Sequence, residues 1–129
     1  MTAAVIVPAL SVPCLWESVK GYISLCDGHV STSEDLYPLL LNGERGLVII
    51  VEGKEIKGAC VYRLIEGFDK VALITTLGGN DGNWNLAIDS FSAQLKKIGV
   101  KRLEIQGRKG WSRSLSGFKL MHTTIGKEL

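Results

Sequence analysis

The sequence lacks the usual features of a membrane-spanning, secreted or metal-binding protein. Its 129 residues include only three Cys, two His and three Pro. No apolar run reaches the roughly 18 residues that a transmembrane helix needs, and the N-terminus has no basic segment typical of a signal peptide. Cys14, Cys26 and Cys60 have no metal-ligand spacing, so we expect buried apolar thiols and no metal site. These absences favour a cytoplasmic protein.

The composition is that of one globular domain, with 46% hydrophobic and 22% charged residues. There is no repeat and no low-complexity linker, so residues 14–129 are predicted to form a single domain. Residues 1–13 carry no charge and read as an N-terminal arm or a first strand. Because this segment has no helical period, we expect it to add little to the core.

The net charge of +2 hides a strong asymmetry along the chain. Residues 1–95 hold 6 Lys/Arg against 11 Asp/Glu, a net charge of −5, whereas residues 96–129 hold 9 against 2, a net charge of +7. Such a distribution can steer partners toward one surface. It is equally compatible with two oppositely charged halves that share an ordinary solvated surface.

Residues 71–107 have the clearest local pattern, which predicts a strand, a glycine-rich turn, a helix and a second strand. The helix has apolar residues spaced by three and four, which places them on one face: Trp84, Ile88, Phe91, Leu95 and Ile98. Asp81 or Asn83 can cap its start, and Gly99 can end it in a left-handed conformation. A helix between two strands predicts a right-handed parallel crossover.

The remaining elements complete an α+β (α/β) pattern. Helices are predicted at 14–26 and after a capping box from Ser31 to Glu34, with Leu36, Leu39 and Leu40 buried and a kink or restart at Pro38. Strands are predicted at 46–51, 56–65 and 71–77, forming an antiparallel meander. After the crossover, a short helix at 110–116 and a closing strand at 119–125 are expected. Helices should cover both faces of the mixed sheet.

This order of elements resembles the acyl-CoA N-acyltransferase superfamily, called GNAT. The resemblance covers residues 15–129 and includes the glycine-rich turn and Ser114-Leu-Ser-Gly-Phe118, similar to a Leu-Gly-Phe turn of that superfamily. The stretch Ile105-Gln-Gly-Arg-Lys-Gly-Trp111 also looks like small GNAT-like proteins of tailed phages.

The resemblance implies an acetyl-CoA site at the strand-to-helix turn, where backbone N–H groups would meet the pyrophosphate. The residues at the matching positions are Gly78, Gly79, Asn80, Gly82 and Asn83. The sequence departs from the superfamily pattern because the basic residue is missing, Asp81 is acidic and Trp84 is bulky. A turn that only caps the helix, with a degraded cofactor site and no bound cofactor, is the competing interpretation.

Acyl transfer to an amine needs a base and a proton donor for the leaving thiolate. Glu52, Glu66 and Glu104 are candidate bases, and Tyr62 is a candidate donor. Glu104 and Tyr62 also have ordinary interpretations. Glu104 alternates with Leu103 and Ile105 and would face solvent, and Tyr62 would be a half-buried strand aromatic.

The basic C-terminal third contains a second candidate site around Trp111. Arg108, Lys109 and Arg113 flank this aromatic residue, a combination that suits a protein interface. It also suits phosphate contact and base stacking, although no nucleic-acid-binding motif is present. A solvated face with one half-buried Trp is the alternative.

Three functional hypotheses follow. The first is a GNAT-like phage accessory or virion protein without a cofactor, acting through protein interactions with virion proteins or itself, in the host cytoplasm or the virion. The alternative is an N-acetyltransferase that uses acetyl-CoA. The third is a nucleic-acid-binding accessory protein. No membrane partner is expected.

Overall fold

The computed structural model describes residues 2–24, 33–79 and 84–105. Within these ranges the elements are β1 (Thr2–Val7), a short 3-10 helix (Ala9–Ser11), α1 (Val12–Ser24), α2 (Ser33–Leu41), β2 (Gly46–Glu52), β3 (Glu55–Ile65), β4 (Val71–Gly79), α3 (Trp84–Lys97) and β5 (Arg102–Ile105). The capping residues Ser31, Asp81 and Asn83, and the predicted elements at 110–116 and 119–125, lie outside the described residues.

The strands form one mixed sheet in the order β1-β2-β3-β4-β5. Neighbours are antiparallel from β1 to β4, whereas β4 and β5 are parallel and α3 connects them. This arrangement confirms the predicted α+β fold with an antiparallel meander followed by a crossover.

Helices cover both faces of this sheet, so two apolar layers hold it. On the α3 face, Phe91 and Leu95 pack with strand residues such as Val48 and Ile74. On the opposite face, α1 and α2 pack on Leu47, Ile49, Ala59 and Val61. The apolar run of β2 is therefore buried on both sides, as expected for a central strand.

The first strand belongs to the core, so the expectation that residues 1–13 add little to it is wrong. β1 pairs with β2 in the register Thr2↔Glu52 to Val7↔Leu47, and Ala4, Val7 and Val12 are buried. At the outer edge of β1, the Ala4 N–H donates to Ser90 Oγ (3.2 Å) and Gln94 Nε2 donates to the Ala4 carbonyl (2.8 Å). Two side chains of α3 thus cover the middle of an edge strand, a position that otherwise invites pairing with another chain.

Helix α3 has the predicted apolar face over most of its length, with Ile88, Phe91 and Leu95 buried and Trp84 half-buried. Ile98 is an exception: it lies beyond the helix end and is 49% exposed. Gly99 has φ 87°, and its N–H donates to the Lys96 carbonyl while the Val100 N–H donates to that of Leu95. This is the Schellman arrangement, which confirms the predicted end of the helix.

Helices α1 and α2 agree with the prediction, with shifted ends. α1 starts two residues earlier than predicted, and Val12, Val19 and Ile23 form its buried face. α2 runs through Pro38 as one helix without a restart, and Gly43 (φ 84°) follows its end.

The cysteine prediction is confirmed for Cys60 and wrong for Cys14. Cys60 is buried and Cys14 is exposed, while Cys26 lies outside the described residues. Burial raises the pKa of the Cys60 thiol to about 12, which makes it a poor nucleophile. No helix in the described ranges combines the length and apolar character needed to cross a membrane.

Candidate functional site

The candidate site lies where β4 ends and α3 begins. β4 ends at Gly79, opposite Gly58 of β3, and α3 starts at Trp84. Of the predicted cofactor-binding residues, Gly78 and Gly79 end the strand, whereas Asn80, Gly82 and Asn83 lie outside the described residues. The N-terminal end of a 14-residue helix therefore follows a central strand closely, a geometry suited to an anion because the helix dipole is positive there.

Close packing, rather than an open cradle, explains the glycine at position 79. A Cβ on Gly79 would lie 2.7 Å from the Lys57 carbonyl oxygen and 2.9 Å from the Gly58 Cα. A Cβ on Gly58 would lie 2.8 Å from the Gly78 carbonyl oxygen. The indole of Trp84 would be 3.1 Å from either added atom, so it lies on this glycine pair. The space freed by the two glycines is filled by backbone and indole, and a ligand would have to reach the turn from another side.

The charges near the helix start favour an anion only in part. The first turn of α3 contains no acidic residue, so within the described helix no carboxylate opposes the positive end of its dipole. In the sequence, however, residues 78–83 contain no basic residue and one acidic residue, Asp81. The helix end therefore favours a pyrophosphate, whereas residues 78–83 add no positive charge.

A bulge interrupts β4 midway along its length. Val61 pairs with Thr76 and Tyr62 pairs with Ile74, so Thr75 is an extra residue in β4. The Thr75 hydroxyl lies 3.4 Å from the Val61 carbonyl and donates to it. Beside the bulge, Ile74 of β4 pairs with Ile105 of β5. Bulges commonly redirect a strand near functional sites.

Glu52 lies at the tip of the β2–β3 hairpin, at the same end of the sheet as Gly79. It is exposed and pairs across the turn with Glu55. Next to it, Lys57 Nζ lies 2.8 Å from Glu55 Oε2. The hydrogen bond and charge of Glu55 raise the pKa of Lys57, and Lys57 in turn lowers the pKa of Glu55. The pair is solvent-accessible and contributes little to stability.

Tyr62 lies in the core beneath α3, away from the glycine turn. Its ring packs edge-on against Phe91 with centroids 5.1 Å apart, and burial raises the pKa of its phenol. Its partner Ile74 precedes Gly79 by five residues, about 17 Å along an extended strand.

Glu104 is more buried than its predicted solvent-facing position suggests. The alternation itself is confirmed, since Leu103 and Ile105 pack against the core on the α3 face. The Glu104 side chain is 18% exposed, and its Oε2 accepts a hydrogen bond from Arg102 Nε at 2.7 Å. Its register partner is Leu73, two residues before the bulge. A half-buried carboxylate thus lies close to the bulge of β4.

The structure therefore separates the predicted site residues into two groups. Gly78, Gly79 and Glu52 lie at one end of the sheet, and Tyr62 and Glu104 lie toward the opposite end. The predicted interaction residues Arg108, Lys109, Trp111 and Arg113 lie outside the described residues. Sequence reasoning missed Gly58, although a glycine inside a strand is a known sign of close backbone approach.

Comparisons with known proteins identify the fold. No family model and no curated protein matches the chain. An aminoglycoside acetyltransferase from an uncultured soil metagenomic sample matches with a TM-score of 0.66 and 13% identity, covering 99% of both chains. A GNAT family acetyltransferase from Staphylococcus aureus matches with a TM-score of 0.65 and 11% identity. Glucosamine-6-phosphate N-acetyltransferase from Arabidopsis thaliana matches with a TM-score of 0.63 and 10% identity. Both matches cover 99% of this chain and 98% of the other chain. The chain thus has the GNAT acetyltransferase fold. None of these comparisons shows the resemblance to phage proteins.

Proposed function

We propose that this protein is an N-acetyltransferase that transfers the acetyl group of acetyl-CoA to an amine, with the cofactor bound at the β4–α3 junction. The observation that carries the proposal is the start of α3 at Trp84, five positions after β4 ends at Gly79, without an acidic residue in its first turn. The acetyltransferases that share the fold support it, although identities of 10–13% establish the fold alone.

The acetyl-CoA molecule would supply an activated thioester, and the protein would have to bind and orient it. The positive end of α3 is the proposed contact for the pyrophosphate. From the helix end, β4 leads back to its bulge at Thr75, close to Leu73, the register partner of Glu104. We propose that the pantetheine arm of the cofactor runs from the start of α3 toward this bulge, which redirects the strand.

Glu104 is the proposed base for the attacking amine. An ammonium group must lose a proton before its nitrogen can attack the thioester. Glu104 is half-buried, hydrogen-bonded to Arg102 and paired with Leu73 two residues before the β4 bulge, whereas Glu52 lies on an exposed hairpin tip. Tyr62 receives no role in this proposal because its ring packs with Phe91 in the core.

Acetyl-CoA binding provides the first test. Thermal unfolding measured with acetyl-CoA at 100 times its dissociation constant should show about 2.7 kcal/mol of added stability. Free acetate at the same concentration is the control for a nonspecific anion effect. If millimolar acetyl-CoA leaves the unfolding transition unchanged, the proposal is wrong.

The local charge gives a sharper test with a matched pair of variants. Asp81→Asn removes a negative charge from the turn before α3 and should tighten acetyl-CoA binding about two- to fivefold, by the energy of one charge at a helix end. Asp89→Asn removes the same charge from an exposed position farther along α3 and should leave the affinity unchanged. Equal effects of the two variants would mean that the cofactor binds elsewhere.

Turnover then tests Glu104 separately from binding. With an amine acceptor, Glu104→Gln should lower kcat by about a hundredfold or more, the usual contribution of a general base, with little change in acetyl-CoA affinity. Glu52→Gln is the control on the exposed hairpin. A Glu104→Gln variant with unchanged kcat would exclude this residue as the base.

A further inference from the structure

A small pocket opens at the end of the sheet opposite the β4–α3 junction. It is lined by residues 43–46, which precede and start β2, and by residues 62–64 of β3, and its volume is about 150 Å³. It lies near the start of β4, about 17 Å along the strand direction from Gly79. The proposed acetyl-CoA site does not include it.

The hydroxyl end of Tyr62 reaches this pocket. Tyr62 is only 8% exposed, and its ring packs against Phe91 on one side. A Cβ on Gly46 would lie 2.7 Å from the Tyr62 hydroxyl oxygen, so the phenol lies directly over this glycine, which lines the pocket. A buried tyrosine hydroxyl normally has a hydrogen-bond partner. Among the described residues, no fully buried side-chain oxygen or nitrogen lacks a hydrogen-bond partner. This agrees with a Tyr62 hydroxyl that is open to the pocket rather than enclosed.

A partly buried cation lines the same pocket. One terminal nitrogen of Arg45 donates to the Glu44 carbonyl at 3.3 Å, which holds the side chain over its own loop. A guanidinium carries five N–H donors, so this bond leaves others available. Arg63 is a second lining residue, and Glu44, also lining, is exposed and more strongly screened by solvent.

We propose that this pocket binds a small oxyanion, a carboxylate or a phosphate, between the Tyr62 hydroxyl and the Arg45 guanidinium. Burial and the neighbouring Cys60 raise the pKa of the Tyr62 phenol. The phenol therefore stays protonated at neutral pH and acts as a hydrogen-bond donor. Both groups donate, the guanidinium with a positive charge, a combination that selects for oxyanions. The small volume limits the ligand to a few non-hydrogen atoms or to the terminal group of a larger molecule.

Amide NMR titration of the whole protein tests the site, with inorganic phosphate and sodium acetate as separate probes and sodium chloride at equal ionic strength as the control. The amide signals of residues 43–46 should shift saturably with one of the two oxyanions and not with chloride. The tighter of the two probes identifies the ligand chemistry. Shifts that do not saturate, or that chloride reproduces, would overturn the proposal.

Four variants assign the effect to the pocket. Tyr62→Phe keeps the ring and its packing, and Arg45→Gln keeps the side-chain length; each should weaken binding about fivefold or more through loss of one charge-assisted or hydroxyl contact. Glu44→Gln should tighten binding, because it removes a like charge from the rim. Arg102→Gln, on β5, should have no effect. If Tyr62→Phe and Arg45→Gln bind the oxyanion as the unchanged protein does, the site is not this pocket.

Discussion

Replacement of Gln94 tests the covered edge of the sheet. Gln94 Nε2 donates to the Ala4 carbonyl at 2.8 Å, on the side of β1 that faces away from β2. Gln94→Ala removes this donor and leaves a part-buried carbonyl with a poorer partner. Loss of one such bond costs about 1–2 kcal/mol of unfolding free energy, partly offset by the higher helix propensity of Ala. Denaturant unfolding should show this decrease.

Gln94→Glu separates the hydrogen bond from simple packing. At pH 7 the new carboxylate would face the Ala4 carbonyl as a second acceptor. The free energy of unfolding should therefore fall by about 2–4 kcal/mol, more than in Gln94→Ala. This unfavourable contact would raise the folded-state pKa of the new Glu above its usual value of about 4.3. Stability should therefore recover as the pH falls through that raised pKa, because the protonated group can donate again.

Two results would refute this reasoning. Gln94→Glu could prove no less stable than Gln94→Ala at pH 7, or its deficit could persist unchanged at acid pH. Asp89→Ala, on the exposed side of the same helix, is the control and should stay within about 0.5 kcal/mol of the unchanged protein. Both variants should be compared with the unchanged protein at each pH, so that general acid effects cancel.

Three further predictions concern separate parts of the chain. Gly58→Ala should destabilise the protein by about 1–3 kcal/mol in denaturant melts, because the new Cβ would lie 2.8 Å from the Gly78 carbonyl oxygen. Gly21→Ala is the control: it has open space in α1 and should stabilise the protein by about 0.5–1 kcal/mol. If Gly58→Ala were the more stable of the two variants, the close packing of Gly58 with Gly79 would be contradicted. A thiol reagent followed by peptide mapping should label Cys14 in the folded protein and Cys60 only after unfolding; early labelling of Cys60 would contradict its burial. One interpretation of the sequence is that the basic segment around Trp111 binds a protein partner. If that partner is acidic, Trp111→Ala should weaken binding by about 2 kcal/mol or more, and unchanged affinity would exclude Trp111 from the interface.

The sequence predicted the sheet well because its signals there are local. The apolar run of β2, the hairpin turn before Glu55 and the period of α3 each lie within a few residues, and Gly99 marks its own helix end. Even Ile98 fits the helical spacing and fails only because the chain has already left the helix before it.

Local sequence patterns did not predict the contacts between residues distant in the chain. Nothing in residues 1–13 indicates that Ala4 bonds to side chains about 90 positions away. The alternation of residues 103–105 correctly predicted that Glu104 lies on the opposite face from Leu103 and Ile105. It did not predict the burial of the Glu104 side chain, which depends on the residues that pack against it. Similarly, the glycines at 78–79 suggested a cofactor cradle. The sequence does not show that the Trp84 indole packs on Gly79, because that contact depends on the folded structure.

The bonds between Ala4 and helix α3 also have a consequence for the order of folding. These hydrogen bonds join β1 to α3 across sequence separations of 86 and 90 residues. The β2–β3 and β3–β4 hairpins close over short turns. In contrast, β1 and β2 are separated in sequence by both α1 and α2, so their pairing closes a much longer loop. On a ribosome, β1 would emerge before β2 and α3 and would pair with them late, since long loops close slowly. Until α3 has been made, this apolar segment depends on transient contacts, and its amide hydrogens should be among the slowest to gain protection during refolding.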